Sequence, residues 1–376
     1  MVDTKSTTPP SLADIAREWG RIGCIGFGGP PAHVVLLREL CVEQRAWLTD
    51  VQFERAVAAV NILPGPASTQ LAIYCAWRLR GLRGALLGGA GFILPGLVAI
   101  LALSVLFLSG SPPAWLRGAG MGAGAAVAAV AVRAGLGVAG PIWRDARGER
   151  RIGVVAYGLA GAVASALAGP LLVLVLIACG AVELARERLV ARSPTAHTSL
   201  LPALVWTALK VGALAFGGGF VIVPLMQSDA VGTYHWMSHG QFLNAVALGQ
   251  VTPGPLTQTV AVVGYAAAGL PGALLAAAVA FAPSFSFVLL GAARFERMLV
   301  DARVRGFLAG AAPAAAGAIV GAAVPLTAAL SETWQYPLLA AAAVALLLLR
   351  RGVVPTLLLA GGVGVAAALL GAPIPH

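Results

Sequence analysis

The chain has 376 residues, 59% hydrophobic and only 11% charged, with a formal net charge of +10. Soluble domains carry about 25% charged residues, so composition excludes a soluble enzyme or carrier. Nucleic-acid binding needs a basic soluble domain or patch, and the sequence has none. The positive charge reads instead as loop arginines that face the cytoplasm.

In chain order, the opening "MVDTKSTTPPSLADIAREWG" lacks a continuous apolar core, so no secretory signal peptide is expected. "GFGGPPAHVV" (Gly26–Val35) follows, too glycine-rich for a helix and too apolar for a surface loop. Arg38, Glu39, Glu43, Arg45, Asp50, Glu54 and Arg55 then mark an amphipathic, interfacial connector, with Trp47 as an interface anchor. "NILPGPASTQ" (Asn61–Gln70) leads into apolar segments placed near 56–77, 84–109, 116–140, 152–168 and 170–185. The run Gly84–Gly110 has no charge over 27 residues, more than the roughly 20 that span a bilayer. "GAGMGAGAAVAAVAV" (118–132) reads as a helix-packing surface, because small residues let helices approach closely. After the basic stretch "ARERLVARSPTAHTSL" come "AFGGGFVIVP" (Ala215–Pro224), Trp236 and "QVTPGPLTQT" (Gln250–Thr259). Further apolar segments lie near 243–265, 272–293, 307–330, 337–349 and 353–371. The four cysteines, Cys24, Cys41, Cys75 and Cys179, show no CxxC and no histidine at ligand spacing. No metal site is expected, and they read as small packing residues.

The sequence is written twice. At an offset of 189 residues Phe27 lands on Phe216, Trp47 on Trp236, Phe53 on Phe242, Pro64-Gly65-Pro66 on Pro253-Gly254-Pro255 and Phe92 on Phe281, without a gap. One frame carrying all of these marks an internal repeat, dividing the chain into 1–195 and 196–376. The loops 78–83 and 141–151 are basic and 110–114 is not, whereas in the second half 266–272 is uncharged and 294–305 is basic. Basic loops stay cytoplasmic, so 78–83 and 294–305 are expected inside, 110–114 and 266–272 outside. The expected fold is an all-α polytopic membrane protein of two inverted-topology repeats, with about 10 transmembrane helices plus re-entrant or broken helical segments. Loop parity expects one of the FGGP and PGP stretches to span and the other to dip in.

Two prolines in three residues remove backbone donors and break a helix. Broken backbone at membrane depth persists only where protein buries it or a wet cavity receives it. A helix restarting after the break offers free N–H groups and a positive dipole end, which suits an anion. The candidate substrate-binding set is therefore Pro64, Gly65, Pro66, Thr69 and Gln70 with Pro253, Gly254, Pro255, Thr257 and Gln258, joined by the glycine turns Gly28, Gly29, Pro30, Gly217 and Gly218. His33 is a candidate for a substrate or proton role beside a plain structural one, and Arg38 and Arg45 are candidates for attracting the anion. No Asp or Glu lies deep in an assigned span. A cation carrier would show one. Arg117 and Arg133, near or within spans, favour an anion, although Arg133 can also snorkel or pair with a backbone carbonyl.

The residues "GFGGPPAH", "QRAWLTDVQFERAVAAVNILPGPASTQLAIYCAWRLRGLRGALLGGAGFILPG", "AFGGGFVIVPLM" and "QFLNAVALGQVTPGPLTQTVAVVGYAAAGLPGALLAA" resemble both halves of the chromate ion transporter family. Gly219 stands where the first half has Pro30, and the second half lacks counterparts of His33 and Arg45, so unequal roles are expected for the halves. The resemblance implies a multi-pass inner-membrane protein exporting chromate, in contact with the lipid bilayer, with a homodimer left open. Sulfate or another tetrahedral oxyanion is the alternative substrate, and an anion channel the alternative class. Walker A, GxSxG and HExxH patterns are absent, so neither an ATP-driven pump nor an enzyme is expected, and no cofactor.

Overall fold

The computed structural model describes residues 10–27, 29–63, 65–108, 112–146, 149–167, 172–185, 200–215, 221–291 and 301–374. Gly28, Pro64, Gly217 and Gly218 lie outside them, as does most of the 294–305 loop. All regular structure among these residues is helical. In the first half the helices are α1 (Leu12–Ile25), α2 (Pro30–Arg38), α3 (Asp50–Ile62), α4 (Ala67–Leu108), α5 (Ala114–Asp145), α6 (Glu149–Leu167) and α7 (Leu172–Ala185). The second half has α8 (Leu200–Leu214), α9 (Ile222–Gln227), α10 (His239–Val251), α11 (Thr259–Gly291), α12 (Ala302–Gly321), α13 (Ala323–Ala328), α14 (Gln335–Ala343) and α15 (Val353–Leu369).

Four helical stretches are long and apolar enough to cross a membrane: Ala67–Leu108, Ala114–Asp145, Leu256–Gly291 and Gly306–Ala328. The helices carry apolar outer faces as well. Leu290, on one of these stretches, is 72% exposed, and Ile152, Leu348 and Leu359 on other helical segments are exposed to a similar degree. A soluble protein rarely shows so much contiguous apolar surface; acyl chains cover it without cost.

The chain doubles back several times. α2 continues through a π-helical turn, Glu39–Gln44, and brings Arg45 to Glu18 at 2.5 Å, so α1 and α2 form an antiparallel hairpin turned at 26–29. Trp19 closes the hairpin onto α4 by donating to the Ala72 carbonyl at 2.8 Å. The matching hairpin of α8 and α9, with its own π-helical turn at Ser228–Thr233, is closed by Lys210 and Thr207 on Asp229, at 2.5 and 2.8 Å. Capping boxes start the next helices at the same relative place. Thr49 pairs with Gln52 ahead of α3, and Ser238 with Gln241 ahead of α10. Each such box satisfies two backbone donors at once.

α3 and α10 stop where the proline motifs begin, at Ile62 and Val251. The apolar stretches 56–77 and 243–265 are thus two helices each, separated at the motif. Helices α4 and α11 are themselves two arms. The chain reverses at Arg80-Gly81 and again at Ala268-Gly269, with near-identical dihedrals (φ/ψ −142/26 then 57/−147 against −150/30 then 61/−156). Only glycine adopts the second conformation readily. After the first reversal Gly84 packs onto the Ala76 carbonyl, and after the second Gly272 packs onto that of Gly264.

These two reversals correct the gapless frame. They lie 188 residues apart, not 189. The first half has one residue more between the motif and its glutamine: Ala67, Ser68 and Thr69 precede Gln70, whereas only Leu256 and Thr257 precede Gln258. The shorter stretch is accommodated by a 3-10 turn, Leu256–Gln258, which rises more per residue than the α-helix that holds 67–70. Beyond it Pro95 therefore matches Pro283, and Phe92 matches Ala280 rather than Phe281.

The small-residue surface of α5 packs as expected. Gly118 and Gly122 lie against Gly364 and Ala360 of α15, and Gly120 and Gly124 face Asn244 and Leu243 of α10. Any side chain on the first pair would collide with backbone.

Candidate functional site

The tips of the broken segments meet inside the molecule. The Gly254 amide donates to the Gly26 carbonyl at 2.9 Å, so the second proline motif is tied to the end of α1 in the first half. The same carbonyl takes a hydrogen bond from His33 Nε2 at 2.8 Å. A carbonyl only accepts, so Nε2 carries a proton and donates it here. His33 is fully buried, edge-on to Phe92 with centroids 5.0 Å apart, and its Nδ1 has no partner. It fixes the turn of the first hairpin, and the second half has Ile222 in its place.

Gly65 and Gly254 hold φ of 113° and 97°, which an L side chain resists. The same glutamine covers each of them. A Cβ on Gly65 would lie 2.6 Å from Gln70 Nε2, and one on Gly254 2.9 Å from Gln258 Nε2. Gln258 also donates to the Ile93 carbonyl at 2.9 Å. Gly96 on α4 packs onto the Pro253 carbonyl so closely that no Cβ fits. Thr69 and Thr257 are fully buried, and neither Oγ1 has a partner.

Around these tips lies a cavity of about 910 Å³. Its walls include Gly29 and Pro30 of the first glycine turn, Gly65 and Gly254, and the residues that restart the helices, Ala67 and Leu256. The remaining walls are almost wholly apolar. Among the described lining residues one is charged, Arg133 of α5, and two carry neutral polar side chains, Gln250 and Thr252. No carboxylate is among those described lining residues. Arg133 Nη1 donates to the Leu346 carbonyl at 2.5 Å, where a π-helical turn (Val344–Leu348) carries the chain toward Gly352 and Val353 of the cavity wall. Arg133 thus pairs with a backbone carbonyl and faces the cavity as well.

The sequence-derived set falls into three groups. Gly29, Pro30, Gly65 and Gly254 line the cavity. His33, Pro66, Thr69, Gln70, Pro255, Thr257 and Gln258 are buried beside it and support those tips; Pro253 stands between them, half-buried. Arg38 and Arg45 lie away from it. Arg38 is ion-paired with Asp50, Glu43 and Glu54, and Arg45 with Glu18, its guanidinium 5.7 Å over the Trp47 ring. Two features went unread in the sequence. Gln250 stands three residues before Pro253, as Asn61 stands before Pro64, and that shared amide was the available signal. Asp229 is a buried carboxylate, 5% exposed, in a stretch assigned to no span.

Helices long enough to cross a bilayer, broken at paired motifs around an internal cavity whose described lining holds one cation and no carboxylate, define a multi-pass membrane transporter rather than an enzyme. The chain belongs to the chromate transporter family, whose profile matches it twice, at residues 13–184 and 202–369. It is 32% identical over 336 residues to the chromate transport protein of Cupriavidus metallidurans, covering 84% of this chain and 82% of that one. Identity to the chromate transport protein of Pseudomonas aeruginosa is 32% over 358 residues, covering 88% and 84%. A probable chromate transport protein of Synechococcus elongatus is 29% identical over 334 residues, covering 84% of each. No solved structure matches the chain.

Proposed function

We propose that this protein is a secondary transporter that exports chromate, a tetrahedral oxyanion, across the inner membrane from the cytoplasm. The observation that carries the reading is the cavity, which has Arg133 and the restarts of both broken helices in its walls and no carboxylate among the described lining residues. An apolar cavity of this kind strengthens attraction to an anion and penalises a cation. The repeat boundary near residue 195 and an inverted arrangement of the halves belong to the same proposal. Support comes from the long arms of α4 and α11, which set Gly89 against Phe285 and place Ala85 in one buried cluster with Val288, the order expected of antiparallel arms. Rocking of such halves about the central tips alternates access. Moving a dianion out of a negative cytoplasm is favoured by about 4.6 kcal/mol per 100 mV, so no ATPase is required.

Uptake of radiolabelled chromate into everted vesicles, with sulfate in competition, tests the substrate. Saturable uptake with weak inhibition by sulfate is expected. Strong inhibition by sulfate, with sulfate itself accumulated faster, makes sulfate the substrate. Absence of counterflow from preloaded proteoliposomes points to a channel and removes the carrier mechanism.

A further inference from the structure

Among the described lining residues of the cavity, few side chains can donate to an anion. Thr252 lines it, but its hydroxyl proton is engaged with the Leu248 carbonyl at 2.9 Å, leaving only acceptor lone pairs. Gln250 lines it too, and its amide nitrogen is buried with no hydrogen-bond partner. Leaving a buried donor unsatisfied is destabilising, a penalty that an oxyanion oxygen would remove. Arg133 supplies the full positive charge. A guanidinium has five N–H donors, and the bond to Leu346 occupies one of them. Ala67, in the cavity wall, opens the long α4, whose first amides have no intrahelical acceptor. The other half has Gly321 and Ala322 where a second arginine would fall. The cavity is therefore asymmetric in charge, although its broken motifs are paired.

We propose that Arg133 and Gln250 are the side chains that bind the transported oxyanion, with the amide end of α4 beside them. The threonines and glutamines after the proline motifs then shape the seat without touching the anion. Arg133 comes from the first half and Gln250 from the second, so the bound anion bridges the halves, and a rocking motion that separates them releases it. This inference rests on the transport reading above, and it names the binding site within it.

Four variants test it in everted vesicles, with membrane insertion measured in parallel: Arg133→Gln, Arg133→Lys, Gln250→Ala and Gln250→Glu. The purified proteins are also tested for a rise in melting temperature on adding sodium chromate. Arg133→Gln is expected to lower kcat/KM more than tenfold and to abolish the chromate-dependent rise. Arg133→Lys keeps the charge and is expected to retain part of both. Gln250→Ala is expected to raise KM several-fold with little change in maximal rate, because a local donor is lost. Gln250→Glu places a negative charge against the substrate and is expected to abolish uptake with insertion intact. Should Arg133→Gln fail to insert because its bond to Leu346 is lost, the two Gln250 variants carry the test. Wild-type KM and thermal response in either Gln250→Glu or an inserted Arg133→Gln would overturn the seat while leaving the transport reading in place. A wild-type protein that neither moves nor is stabilised by chromate or sulfate overturns the transport reading and the seat together.

Discussion

Gly65 and Gly254 stand at the tips of the two proline motifs. Both hold a positive φ, and both are covered by a glutamine amide, so a methyl group there meets backbone strain and a filled space together. Gly254→Ala is expected to cost about 1–2 kcal/mol from the backbone alone, and more once Gln258 is displaced from the Ile93 carbonyl. A lowered melting temperature of the detergent-purified protein is the measure. An unchanged value would mean that the tip relaxes freely. At this scale the sequence announces a special conformation, since a glycine between two prolines has few other uses. It does not announce what covers it. Gln70 and Gln258 follow the motif in sequence, and in the structure each lies over its glycine beside the cavity. The direction of a side chain four residues into a helix depends on its neighbours in space.

The proline motifs act on whole elements. They stop α3 and α10 and let the next helices begin beside a cavity. Replacing Pro253 and Pro255 together with alanine restores backbone donors and permits a continuous helix, which would withdraw the free amides at the second tip. Chromate uptake is expected to disappear while the protein still reaches the membrane. Near-normal uptake at equal expression would reduce the motif to a kink used for packing. The α8–α9 hairpin depends on a different element-scale feature. Lys210 and Asp229 are both largely buried and bonded to one another. Losing one partner of such a pair strands the other charge, at about 3–5 kcal/mol, whereas replacing both with apolar groups costs far less. Asp229→Ala is therefore expected to unfold at markedly lower temperature than the double variant Lys210→Met with Asp229→Leu. Equal losses would show that the pair's members act independently. The first half solves the same problem with Arg21 and Arg45 on Glu18, so hairpin closure is common to the halves though the residues differ.

For the whole molecule the expected arrangement is two halves upside-down to one another. Single cysteines at positions 80 and 269, each on a cysteine-free background, are expected to react with an impermeant reagent from opposite sides of the membrane. Both positions are backbone reversals at the ends of long arms. Labelling of both from the same side would remove the inverted arrangement and, with it, the rocking mechanism.

The sequence by itself determined the membrane class, the doubling of the chain and the places where helices break. Each of these follows from local or one-dimensional properties: apolar length, recurrence of Phe, Trp and Pro-Gly-Pro, and the backbone chemistry of proline and glycine. Tertiary structure alone decided which polar groups share the cavity. Arg133 stands out in the sequence as a charge near apolar residues, and Gln250 hardly at all. They share a wall of one cavity because α5 packs against α10, 117 residues on in the chain, and nothing local to either residue encodes that packing. The one-residue slip after the proline motif was hidden for the same reason. A gap beside Ala, Ser and Thr leaves no mark in a run of small residues, but it moves the reversal at Gly269 by one position, and there backbone geometry makes it visible.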